Sequence, residues 1–126
     1  MKDISLLCLL ALAIGLMSCG ALKRKEPRIV VRIDARLLGK VADSDEYDAA
    51  KRAALFVAKD LPITSETVLR VDVTAASDYY AFCMTSENST AIPGQSCTRV
   101  DPKKYPNLIA AFPDMAKELA EYIKKP

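Results

Sequence analysis

The side chains that could do covalent chemistry in this chain are its four cysteines, at positions 8, 19, 83 and 97. A thiol can carry a lipid, bind a metal, transfer electrons or form a disulfide, and its surroundings decide between these. The 126 residues include no histidine, so the commonest general base and the commonest neutral metal ligand are missing. No nucleophile beside a base, no metal-spaced carboxylate pair and no glycine-rich phosphate loop stands out. We therefore expect a protein without catalytic activity, metal or cofactor.

The first nineteen residues have the pattern of an export signal. Lys2 provides a positive start, and the apolar run from Ile4 to Met17 has the length of a signal-peptide core, short of the roughly twenty residues that span a bilayer. The run ends in Leu16-Met17-Ser18-Cys19. This ending resembles the lipobox of bacterial lipoproteins, with leucine three positions before the cysteine and a small residue directly before it. The alternatives are an uncleaved signal-anchor and an ordinary secretory peptide cut nearby.

The resemblance is confined to these residues and implies a lipid-anchored membrane protein. In bacterial lipoproteins the cysteine thiol takes a diacylglycerol, the peptide is cut before it, and the new amino terminus is acylated, for example with palmitate. Residues 1–18 are then a signal peptide, Cys19 is lipidated, and residues 19–27 form a polar tether. Two or three acyl chains make a durable anchor. Because Gly20 rather than aspartate follows the cysteine, the resemblance favours the outer membrane, with the protein facing the periplasm.

Export and lipidation leave Cys83 and Cys97 as the only thiols of the mature chain, in an oxidising compartment. They fall in two short predicted strands joined by a polar loop that contains Pro93-Gly94. A metal site would need further ligands, and redox catalysis usually shows Cys-x-x-Cys spacing, which is absent here. We therefore predict a structural disulfide between Cys83 and Cys97.

The elements that position these residues follow from the hydrophobic pattern. Residues 28–38 and 67–75 alternate apolar and polar positions, as a strand with one buried face does. In the first segment the predicted inward side chains are the odd positions from Ile29 to Leu37. In the second they are Leu69, Val71 and Val73, and in the third predicted strand they are Tyr80, Phe82 and Met84. Arginine and aspartate occupy the opposite face of the first two strands.

Two helices are predicted. The first lies between the first two strands, where Asp43 and Glu46 have the spacing of a capping box and Ser44 is an alternative cap. Its alanine-rich stripe suits close packing on a sheet. The second is predicted over Pro113–Lys124, with proline at its first position, after a short helical turn near Asn107.

These elements predict a single α+β domain over residues 28–126. It is a two-layer sandwich with a sheet of about four mostly antiparallel strands, two helices on one face and the order β-α-β-β-β-α. The open face carries charged side chains toward water or a partner. The candidate partner-binding residues are four arginines of that face and two aromatic residues: Arg28, Arg32, Arg36, Arg70, Phe56 and Tyr79. For Phe56 and Tyr79 the alternative is that neighbouring parts of the chain cover their side chains.

The function class follows from location and from the chemistry that is missing. A net charge of +2 is too small to indicate nucleic acid. Our leading hypothesis is a non-catalytic envelope lipoprotein that binds another envelope protein, as an accessory or structural component of an assembly, secretion or transport machine. One alternative is a lipoprotein that binds a small ligand or anion through the arginines. Another is an exclusion or immunity lipoprotein that blocks a toxin or phage.

Overall fold

The structure is a computed structural model that describes residues 26–124. The lipobox, Cys19 and most of the predicted tether lie outside the described residues. In chain order the elements are β1 (Arg28–Asp34), α1 (Ser44–Ala58), β2 (Val68–Ala75), β3 (Tyr80–Glu87), β4 (Ser96–Val100) and α2 (Leu108–Lys124). Short 3-10 turns at Arg36–Leu38 and Pro102–Lys104 follow β1 and β4.

The four strands form one mixed sheet in the order β1-β2-β3-β4. β1 and β2 are parallel because α1 carries the chain back between them, whereas β2, β3 and β4 pair antiparallel through short connections. This confirms the predicted α+β class, the element order and the mostly antiparallel sheet.

The core lies between the sheet and the two helices. Leu69, Val71 and Val73 of β2 are at most 2% exposed, and Phe82 and Met84 of β3 are fully buried beside them. The predicted inward faces of β2 and β3 are therefore correct. From α2, the large side chains that complete the core are Phe112, Met115 and Leu119.

The first helix begins with the predicted capping box. The Asp43 carboxylate accepts the N–H of Glu46 at 2.9 Å, and the Glu46 carboxylate accepts the N–H of Asp43 at 3.0 Å. Glu46 is only 4% exposed, and the Lys40 ammonium donates to it at 2.8 Å. The same hydrogen bond raises the pKa of Lys40. The buried carboxylate therefore has the charged partner that makes its burial tolerable.

The second helix differs from the prediction, because Pro113 lies inside it instead of at its start. The helix begins at Leu108, and the Asn107 side chain accepts the N–H of Ala110 at 2.9 Å near that end. Proline in a helix interior costs the hydrogen bond to the residue four positions earlier. The helix still runs through Pro113 because Leu108 and Phe112 before it bury in the same core as the residues after it.

Leu37 also differs from the prediction. Alternation placed it on the inward face of β1, but its side chain is 67% exposed. β1 ends at Asp34, whose carboxylate accepts the N–H of Arg36 at 3.1 Å, and the chain then turns through Gly39 at a left-handed φ of 69°. The turn ends the period of two, so the apolar side chains that follow Ala35 leave the core.

The capping box yields the first prediction. Asp43→Ala removes the acceptor for the N–H of Glu46, and we expect the free energy of unfolding to fall by about 1 kcal/mol. Ser44→Ala is the matched control, because Asp43 and not Ser44 makes the capping contact, and it should change stability by less than about 0.5 kcal/mol. Urea unfolding followed by circular dichroism measures both. Equal losses for the two variants would contradict this assignment of the cap.

Candidate protein-binding surfaces

The open face of the sheet, which no helix covers within residues 26–124, carries three of the predicted arginines. Arg28 and Arg32 project from β1 and Arg70 from β2, on the side opposite the buried rows. Arg32 stands directly across from Asp72 in the parallel register, with Nε 3.6 Å from the carboxylate. Arg70 forms an ion pair with Glu87 of β3, which raises the pKa of Arg70.

Arg36 lies past the end of β1 and is bound to Asp34. Its guanidinium Nε and Nη2 donate to the two carboxylate oxygens at 3.1 and 2.9 Å. These side-chain hydrogen bonds, with the backbone bond from Arg36, lower the pKa of Asp34 to about 2. A carboxyl with a lowered pKa stays ionised through the whole neutral range, so this pair is neutral overall at any physiological pH.

Tyr79 lies half-buried directly before β3, next to Arg99 of β4. The guanidinium carbon of Arg99 is 4.2 Å from the centroid of the Tyr79 ring, within the range of a cation–π contact. The open face therefore pairs most of its arginines with an acidic or aromatic neighbour.

The sulfur atoms of Cys83 and Cys97, the pair predicted from the sequence, form a disulfide. The two residues are register partners in β3 and β4, with Cα atoms 4.1 Å apart. Phe82 and Met84 point into the core, so Cys83 between them points to the open face. Its register partner Cys97 in β4 points to the same face. The bond thus ties β4 to the sheet on its solvent side.

Phe56 lies on the other layer of the molecule, on the outside of α1, and is 42% exposed. It borders an apolar groove of about 290 Å³ between the two helices, which is also lined by Ile109 and Pro113 of α2. The Lys59 ammonium lies 4.1 Å from the centroid of the Phe56 ring. The terminal helix therefore flanks Phe56 without covering it, and the structure separates Phe56 from the predicted arginines.

Sequence reasoning missed a group of exposed apolar side chains between β1 and α1. Leu37, Leu38 and Val41, here called the apolar patch, are 67%, 38% and 91% exposed. Val41 also borders a groove of about 400 Å³, whose charged lining residues are Arg32, Asp34, Arg36, Lys40 and Asp72. The apolar-polar alternation of β1 continues in the sequence through Leu37, so the pattern predicted a buried side chain there. Gly39 was the one local signal for a turn.

The apolar patch lies at one end of the molecule. The chain enters the sheet at Arg28, and the patch follows the far end of β1, about 20 Å away at the usual rise of a strand. The carboxyl ends of both helices lie at the entry end, where the Lys124 ammonium is 3.1 Å from the carboxylate of Asp60. The patch therefore points away from the place where residues 1–25 join the domain.

No protein-family model matches the chain, and no curated protein matches it in sequence. A crystal structure of the N-terminal domain of Protein Y from Thermus thermophilus is similar, with 13% identity over 77% of this chain and 96% of that one, and a TM-score of 0.49.

No helix within residues 26–124 is both long and apolar enough to cross a membrane. In the same part of the chain, no cluster of three or more histidine, cysteine or acidic residues is arranged to hold a metal ion.

The disulfide yields the second prediction. Replacing Cys83 and Cys97 together with alanine should lower the free energy of unfolding by roughly 3 kcal/mol, because the open chain has more freedom to lose on folding. Treating the unmodified protein with a reductant should cause a similar loss, since the bond lies on the open face. The double variant is the control and should not respond to the reductant.

Alkylation of the oxidised protein followed by mass spectrometry tests the bond directly. Two free thiols at Cys83 and Cys97 would contradict the disulfide.

Proposed function

We propose that this protein is a non-catalytic lipoprotein of the bacterial cell envelope, anchored through Cys19, that binds another envelope protein through the apolar patch. One observation carries the protein-binding part of the proposal. Of the five large hydrophobic side chains exposed within residues 26–124, three lie in the loop between β1 and α1 and make up the patch. Clustered exposed apolar side chains mark interaction sites, whereas single ones are ordinary.

The charges around the apolar patch suit protein contact. Arg36 is bound to Asp34, and Lys40 is bound to Glu46. A partner that covers the leucine and valine side chains therefore need not bury an unpaired charge, whose desolvation would oppose binding. An apolar centre inside a polar rim is the usual anatomy of a protein interface.

The position of the apolar patch suits a lipid-anchored protein. If Cys19 carries the lipid, six residues separate it from Glu26, the first described residue, and the seven peptide steps from Cys19 to Glu26 can span at most about 25 Å. The entry end of the domain would then lie close to the bilayer. The patch, at the opposite end of β1, would face the periplasm and the partner.

The disulfide supports an exported protein. Cytosolic thiol systems keep most protein cysteines reduced, and an accessible bond is the easiest kind to reduce. Cys83 and Cys97 lie on the open face, where small thiols can reach them. An oxidising periplasm fits this bond better than a reducing cytoplasm does.

The pairing of the arginines makes anion binding the weaker hypothesis. Arg32, Arg36 and Arg70 each have a carboxylate within the molecule. An anion would have to displace these carboxylates, and such a displacement costs part of the binding free energy. Protein contact through the apolar patch needs no such displacement.

The anchor yields the third prediction. Cys19→Ala should leave the protein unprocessed and without lipid, because the thiol is the acceptor. Metabolic labelling with a fatty-acid analogue and the mass of the purified protein measure both effects. Cys8→Ala is the matched control and should be lipidated normally. Normal labelling of the Cys19→Ala variant would refute the lipoprotein assignment.

The apolar patch yields the fourth prediction. A photo-crosslinking residue at Val41 should capture one envelope protein in living cells, and Leu37→Ser in the same chain should reduce that capture at least about fivefold by removing apolar contact area. A cross-linker at Tyr122, which is 60% exposed, is the control site and should not capture it. Leu37→Ser should leave the unfolding midpoint nearly unchanged, because the side chain lies in water.

The identity of the captured protein separates the hypotheses. An integral or periplasmic envelope protein supports the proposal. Toxin or phage components favour the exclusion hypothesis. Equal capture at Val41 and Tyr122, or no capture at either, would overturn the assignment of the patch.

A further inference from the structure

We infer that two copies of this chain associate through the outer edge of β1, so that their sheets join into one. Within residues 26–124, β1 forms one edge of the sheet, with seven residues, an unbroken register against β2 and no proline. Monomeric proteins usually protect such edges with proline, bulges or short strands. β4, at the other edge, has only five residues. β1 is thus the longer edge, and the charged side chains that can also protect an edge, Arg28, Arg32 and Asp34, all lie on its open face.

The backbone of β1 offers hydrogen-bonding groups at this edge. The N–H of Arg28 donates to the carbonyl of Thr67, just before β2, at 3.1 Å. In a strand the backbone N–H and C=O groups of successive residues point to opposite sides. Those of Arg28 and the other even-numbered residues of β1 therefore point toward β2. Ile29, Val31 and Ile33 consequently direct their N–H and C=O groups to the open edge. Three such residues in alternation form a template for another strand.

The side chains of the same three residues are incompletely covered. Ile29, Val31 and Ile33 face the helical layer and pack against the core, yet they remain only half-buried. Their parallel-register partners, Leu69, Val71 and Val73, are at most 2% exposed. A strand added outside β1 would cover this apolar row and leave the helices where they are.

The sequence of β1 selects a second copy as the added strand. If two copies pair antiparallel about Val31, each Ile29 lies opposite Ile33 of the other copy, and Val31 lies opposite itself. These are the residues whose backbone N–H and C=O groups point away from β2, so each pair can exchange two N–H···O bonds. On the open face the same register places Arg28 opposite Asp34 in both symmetric positions, so the Asp34 carboxylate, which already accepts hydrogen bonds from Arg36, would gain a second cationic neighbour. Backbone, apolar and charge complementarity therefore agree on a single register.

The β4 edge lacks this complementarity. Antiparallel pairing of β4 about Thr98 would place Arg99 opposite Cys97, which carries no charge and is already bound in the disulfide. The association is therefore assigned to β1. It does not depend on the apolar patch, since Leu37 and Val41 lie beyond the paired residues.

The fifth prediction concerns the oligomeric state of the full-length chain. Sedimentation velocity in density-matched detergent, over a range of protein concentrations, measures the mass of the protein. We expect a dimer. Val31→Pro removes an outward N–H, which edge strands tolerate, and should raise the Kd for dimerisation at least about tenfold. The unfolding midpoint of each variant shows whether the domain still folds.

Charge exchange makes the test specific for the register. Arg28→Glu or Asp34→Arg alone should raise the Kd about tenfold, because two like-charge pairs form across the symmetric interface. The double variant restores opposite charges and should return the Kd to within about twofold of the original value. Lys117→Glu on α2 is the control, with the same change in net charge as Arg28→Glu away from the edge, and should leave the Kd unchanged.

Two results would overturn the inference. One is a chain that stays monomeric at every concentration, and the other is a dimer that neither Val31→Pro nor the charge exchange affects. Failure here would leave capture at Val41 unchanged, so this inference and the proposed function are tested separately.

Discussion

Burial of the inward rows of β2 and β3 under two helices is the interaction on which the rest of the molecule depends. Each fully buried large side chain, such as Leu69 or Phe82, contributes roughly 1.5–3 kcal/mol relative to an exposed one. The ring centroids of Phe82 and Phe112 are 6.0 Å apart at an interplanar angle of 71°, an edge-to-face contact that joins the sheet to α2. Because both helices of residues 26–124 lie on one face, the other face must carry polar side chains or be covered by a partner.

The open face shows how a small domain completes an uncovered sheet. Arginine, aspartate and glutamate side chains pair across neighbouring strands, and the disulfide supplies a covalent link at the β3–β4 side. The same arrangement leaves β1 as the least protected part, because its inward row lies at the margin of the helical layer. The proposed association of β1 and the proposed binding of the apolar patch therefore involve different parts of the molecule, its lateral edge and the end opposite the point where the chain enters the sheet.

Most of the architecture could be predicted from local pattern. The period of two in β2 and β3 identified Val71 and Phe82 as core residues, and the spacing of Asp43 and Glu46 located the start of α1, since both signals depend on near neighbours. Two features could not be predicted in this way. Pro113 signalled a helix start, and only the shared core around Phe112 makes the helix continuous. Alternation carried Leu37 into the core, whereas the turn after Asp34 turns it out to water.

By itself, the sequence determined the element order, the capped first helix, the cysteine pair and the lipobox resemblance that predicts an anchor at Cys19. These are features of residue type and short spacing, which the chain carries wherever it folds. Tertiary structure alone decided which exposed groups lie together. It placed Phe56 on the layer opposite the arginines, gave Arg32 and Arg70 their carboxylate partners on neighbouring strands, and left the apolar patch exposed at the end away from the point where the chain enters the sheet. Such groupings arise from strand order and from where each strand ends, and neither is encoded in the period of any one segment.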